Sequence, residues 1–74
     1  MTSEVLKELL QRQPCPVLRL HLSNGTVFDI DDPDLVVIGR STVEIRLPPE
    51  GSNQREAVIN LSHIIWVEVL TPRN

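Results

Sequence analysis

The residues able to do chemistry in this chain are few and scattered. The serines fall at positions 3, 23, 41, 52 and 62, and none is flanked by the glycines of a nucleophile elbow. Ser62 and His63 are adjacent, but neighbours on an extended chain do not point at one another, so the pair reads as a turn and not as a nucleophile with its base. Cys15, between two prolines, reads as a small packing residue. Asp29, Asp31, Asp32 and Asp34 crowd carboxylates together. They lack the glycine and terminal glutamate of a calcium loop, and Asp-Asp-Pro-Asp is ordinary turn chemistry. Gly25, Gly39 and Gly51 stand alone and build no phosphate cradle. No catalytic residue, metal site or cofactor is therefore expected, and the chain reads as a binding protein and not an enzyme. His21 reads as a solvated side chain, and His63 as a turn residue or a ligand contact.

The elements that must position these residues follow from periodicity. Residues 3–13 read as a helix N-capped by Ser3, with Val5, Leu6, Leu9 and Leu10 on one stripe; Pro14 ends it. Residues 17–22 alternate, with Leu18, Leu20 and Leu22 on one face and Arg19 and His21 on the other. The next run, 26–30, carries Phe28 and Ile30. A two-residue Asn-Gly loop would put both on the polar face. A three-residue loop of Ser23, Asn24 and Gly25 pairs Leu20 with Phe28 and Leu18 with Ile30, and places Gly25 at a left-handed position. After an Asp-Asp-Pro-Asp turn, residues 35–38 read as a strand buried on both faces. Residues 42–47 alternate again, 48–54 read as a mobile polar loop, 55–60 as a short strand, 61–63 as a single helical turn, 64–70 as the last strand and 71–74 as a tail. The expected architecture is one domain over residues 1–74: an N-terminal helix (3–13), then a mostly β, five-stranded, strongly bent antiparallel barrel of Sm-like or SH3-like type (17–70).

Size and charge restrict what such a domain does. A 74-residue chain buries only about 60% of its unfolded surface, and a core of that size supplies roughly 3–5 kcal/mol. One cysteine excludes an internal disulfide, so self-association is the remaining staple. The lone cysteine, an N-terminus without a signal-peptide pattern and the lack of an apolar run of spanning length point to a cytoplasmic protein with no membrane partner. Net charge −3 and two aromatics, Phe28 and Trp66, count against a general polyanion binder. Residues 64–70 are apolar on both faces, and the face carrying Ile64, Trp66 and Leu70 needs cover from the helix or from a second subunit.

The helix leading through a proline into the first strand, Leu20-x-Leu22-Ser23-Asn24-Gly25 at the hairpin, and Ser62-His63-Ile64-Ile65 before the last strand resemble the Sm-like family, and within it the Hfq-type RNA chaperones. Their motifs read Leu-x-Asn-Gly and Lys-His-Ala-Ile. The chain is also similar to a group of small bacterial proteins sharing a Pro-rich start (here residues 14–17), an Asn-Gly hairpin, a segment like 32–37 and a last strand like 60–69; that likeness bears on fold alone. The Sm-like resemblance implies a homo-oligomeric ring in which strand 4 of one subunit (55–60) pairs with strand 5 of the next (64–70). The implied interface residues are Val58, Ile59, Ile64, Trp66 and Glu68. It also implies RNA bound through Asn24, His63 and Arg12. Three departures weaken RNA binding more than they weaken the barrel. Ser62 replaces the lysine, Gln11 and Gln13 flank Arg12, and no glycine bends the second strand near 29–31. The alternative is a protein-interaction or assembly module on the same barrel without a nucleic-acid role. Arg12, Arg19, Arg40, Arg46 and Arg55 gathered on one face would favour RNA; arginines dispersed among acids would favour the module.

Overall fold

The computed structural model describes residues 1–71; most of the expected tail, 72–74, lies outside them. One helix, α1 (Ser3–Leu10), precedes six strands: β1 (Val17–Leu22), β2 (Val27–Ile30), β3 (Val36–Ile38), β4 (Thr42–Glu50), β5 (Asn53–Asn60) and β6 (Ile64–Leu70). They form two antiparallel three-stranded sheets, ordered β2-β1-β6 and β3-β4-β5.

The helix starts one residue earlier than the capping pattern suggests. Thr2 is the N-cap, its hydroxyl accepting the Val5 N–H at 3.3 Å. It also ends earlier, at Leu10, where the Gln11 N–H closes onto the Lys7 and Glu8 carbonyls. The buried Pro16 then anchors the link into β1. Leu6 and Leu9 are the helix's core contacts, while Val5 stays exposed.

The hairpin is as the apolar pattern requires: Leu18 opposes Ile30 and Leu20 opposes Phe28. Gly25 takes φ +86, a conformation other residues rarely adopt. Between the sheets, Leu18, Leu20, Leu22 and Ile30 meet Val43, Ile45 and Ile59, with Leu61 and Ile64 closing one end and α1 contributing its two leucines.

Three expectations are corrected. The expected five-stranded barrel is six strands in two sheets that do not close, because the second strand is interrupted. Pro33 offers no N–H to a ladder, and Asp32 caps a short 3-10 turn (Pro33–Leu35) by accepting the Asp34 N–H at 2.9 Å. The chain thus breaks just after the segment 29–31, where the bending glycine of the Sm-like pattern is missing. Leu35 falls in that turn, and Val37 is exposed instead of buried on both faces, because β3 is an edge strand with one face in solvent. Finally, residues 48–54 are a hairpin and not a loop. β4 and β5 run on to a two-residue turn at Gly51 and Ser52, with Glu50 opposite Asn53. Gly51 has φ +60 and Ser52 does not turn positive, as a type II′ hairpin demands of its first central residue. Pro48 and Pro49 fit inside β4 because the β4–β5 register is irregular between Leu47 and Glu50, and because β3 reaches only as far as Ile45.

Leu20 is fully buried at the centre of this core. Leu20→Ala is expected to cost about 2–5 kcal/mol, enough to remove the cooperative thermal transition of so small a domain, whereas Val37→Ala shifts stability by less than about 0.5 kcal/mol. Circular dichroism melts of the two variants check this.

Candidate functional site: the hairpin concavity and the long sheet edges

Two surfaces collect the residues singled out above. The first is a concavity of about 420 Å³ between the two sheets, walled by Ser23, Asn24 and Phe28 on one side and by Ala57, Val58 and His63 on the other. Its polar groups are set by local turns. The Asn24 carboxamide oxygen accepts the Thr26 N–H at 3.0 Å, which fixes the hairpin. A 3-10 turn (Leu61–His63), capped by Asn60 Oδ1 on the Ser62 N–H at 3.0 Å, presents His63. The two segments are tied together: the Ser23 N–H donates to the His63 carbonyl at 2.8 Å, and Ser23 Oγ lies 3.3 Å from His63 Nδ1.

Asn24 and His63, 39 residues apart in the chain, therefore share one concavity, as the RNA-site expectation requires. Arg12 does not join them. It is exposed beyond the end of α1, 3.7 Å from Glu8. The Ser23–His63 contact went unrecognised in the sequence, where Ser62 was the only serine beside the histidine. It is not a catalytic triad, since no carboxylate contacts the His63 ring among the described residues.

The second surface is the outer face and free edge of β6. β6 pairs with β1 alone, and β5 with β4 alone. Of the expected interface residues, Ile59 and Ile64 point into the core and are buried. Val58 is 60% exposed on β5 and Trp66 is 51% exposed on β6. Trp66 is left half exposed, and α1 turns Leu6 and Leu9 into the core instead. Ile64 does not share its face, because β6 carries a bulge: His21 opposes Trp66 while Leu22 opposes Ile64, leaving Ile65 as the extra residue and 67% exposed. No local signal in the sequence marks that bulge.

Across the outer face run two rows. In one, Arg19 donates to both Asp29 oxygens, at 2.8 and 3.2 Å, and approaches Glu68 at 3.8 Å. In the other, the His21 ring stacks on Trp66, centroids 3.9 Å apart and planes 6° from parallel, with His21 Nε2 3.3 Å from Glu68 Oε1. The Arg19–Asp29 pair follows from the hairpin register and was legible in the sequence; the His21–Trp66 stack needs the β1–β6 register, which was not.

The hydrogen bonds from Arg19, before any effect of its charge, hold the Asp29 carboxyl below its ordinary range, and Asp29 in turn raises Arg19. A carboxyl whose folded-state value is lowered adds stability above its unfolded value, about 3.9, and loses it as pH falls further. Arg19→Leu should therefore be less stable than the native chain at neutral pH, with the gap closing below about pH 4. Urea titrations at the two pH values measure it.

Among the described residues no helix is long and apolar enough to cross a membrane, and no group of three or more His, Cys, Asp or Glu side chains is placed to hold a metal ion. Comparison with family models, with curated proteins and with solved structures finds no match for this chain.

Proposed function

We propose that this protein is a subunit of a homo-oligomer, an Sm-like interaction module built by antiparallel pairing of β5 of one copy with β6 of the next. One observation carries the reading: the two longest edge strands are both unpaired on one side and both carry exposed large apolar residues, Val58 on β5 and Ile65 and Trp66 on β6, although the short edges β2 and β3 also expose Val27 and Val37.

Every three-stranded sheet has two edges, so edges alone argue little. The other two here, β2 and β3, have four and three residues, and they meet at the Asp-Asp-Pro-Asp turn, a charged, proline-bearing guard of the kind that blunts edges. β5 and β6 have eight and seven residues and contain no proline or lysine. Taking β2 and β3 as halves of one interrupted strand, β5 and β6 become the fourth and fifth strands, the pair that joins subunits in Sm-like rings.

The side-chain alternation is compatible with that pairing. On β5, Ala57 and Ile59 lie on the core face beside Ile45 and Val43, while Val58 lies outside. On β6, Val67 and Val69 oppose the core residues Leu20 and Leu18, while Trp66 and Glu68 lie outside. Antiparallel pairing continues both faces, valine against alanine and isoleucine within, Trp66 near Val58 without. Such a contact is head-to-tail, so it closes into a ring when the rotation permits.

The arginines favour assembly over polyanion binding. Arg12 lies by Glu8, Arg19 between Asp29 and Glu68, Arg55 by Glu50, and Arg46 opposite Glu56. Of the five arginines singled out above, three contact a carboxylate, and Arg40 and Arg46 do not among the described residues; the positive charge is dispersed, which is unlike a phosphate-tracking surface. RNA binding is the second reading, favoured by the shared concavity of Asn24 and His63. Uptake of a short A/U-rich RNA at low salt, lost in His63→Ala, would support it.

Multi-angle light scattering on a sizing column tests the assembly. The native chain is expected at several times the mass of one chain. Ile65→Lys and Val58→Lys, both on exposed positions, are expected to fold and run as single chains, with Val37→Lys retaining the native mass. A native single chain at micromolar concentration would sink the reading.

A further inference from the structure

We propose that His21 is a proton-controlled brace on Trp66: gaining a proton, it clamps the indole to the outer face of sheet β2-β1-β6, and losing it, it lets the indole go. Three contacts carry the inference. The two rings lie 3.9 Å apart and 6° from parallel, close enough for a cationic ring to be held by the indole face. The edge of the same imidazole faces a carboxylate, Nε2 to Glu68 Oε1 at 3.3 Å. His21 is only about a quarter exposed, so the stack is partly shielded from water.

The ionisable groups facing His21 come from each neighbouring strand. Glu68, on β6 with Trp66, is its direct partner. Arg19, two residues back on β1, reaches the same carboxylate at 3.8 Å and competes for it. Asp29 on β2 binds Arg19 at 2.8 Å and draws that guanidinium away from Glu68. Val27, opposite His21 on β2, is uncharged. Trp66 is half exposed on this face among the described residues. The neighbourhood thus holds two carboxylates and one guanidinium. A proton added to the ring turns a weak neutral contact with Glu68 into a charge-assisted one and gives the stack its cation–π component. Histidine as a side-chain type changes charge over roughly pH 5–8, which is the interval to scan.

Trp66 is the only tryptophan, which makes it the reporter. A protonated imidazole stacked on indole quenches its emission more than a neutral one does. Emission of the native chain is expected to fall as pH drops from about 8 to about 5.5. The fall should be absent in His21→Gln and retained in His63→Gln. A flat native titration, or one that survives His21→Gln unchanged, overturns the brace.

Because Trp66 lies on the edge assigned above to assembly, a braced indole is a pre-organised one, and association should be tighter at the lower pH. This consequence rests on the assembly reading, and light scattering at the two pH values reads it separately from emission. A native mass that rises on acidification, but not in His21→Gln, supports the coupling. A titrating emission with equal oligomer mass at both pH values overturns the coupling and leaves the brace. A single-chain mass at both overturns the assembly reading instead.

Discussion

An unpaired strand edge is a row of backbone donors and acceptors that water must satisfy, and this fold has two long ones. The cause is topological. Two sheets of three strands share one core, and the segment that would join them into a continuous sheet is replaced by the 3-10 turn at Pro33–Leu35. The break adds two short edges, β2 and β3, at the charged turn, while β5 and β6 lie at the far ends of the two sheets and are open with or without it. The concavity lies between the sheets on the β5 side, and the exposed Val58, Ile65 and Trp66 lie along the open strands.

The same economy explains how so small a chain places its polar groups. Asn24, Asp32 and Asn60 each turn a side-chain oxygen onto a backbone N–H two residues on, fixing the hairpin, the break and the β5–β6 link. Among the described residues no buried side-chain nitrogen or oxygen lacks a partner. The core itself is apolar throughout, so the domain relies on packing, and packing alone is marginal at this length. Pairing β5 with β6 of a neighbour, as proposed, would add main-chain hydrogen bonds and apolar burial on the open side of each strand.

Much of this was legible in the residues. The leucine alternation of β1 together with Phe28 and Ile30 determines a three-residue hairpin, and through it the Arg19–Asp29 pair. The 3-10 turn before β6 and the apolar stripe of α1 were equally plain. What was not legible depends on distant pairing or on two-residue geometry. The Pro-Pro pair in β4 masked a strand that survives because its neighbour ends early. Gly51 followed by a serine is a tight hairpin only once Glu50 and Asn53 are opposed. The bulge at Ile65 reassigns Ile64 to the core, and the His21–Trp66 stack and Ser23–His63 contact join residues 45 and 40 apart.

The central claim is that the outer backbone groups of β5 and β6 are satisfied by one another across a subunit contact. Amide hydrogen exchange, followed residue by residue as protein concentration is raised, tests it most directly. The account predicts that solvent-facing amides of β5 and β6 become protected with concentration while those of β2 and β3 do not. Exchange at β5 and β6 that stays fast and independent of concentration would contradict it.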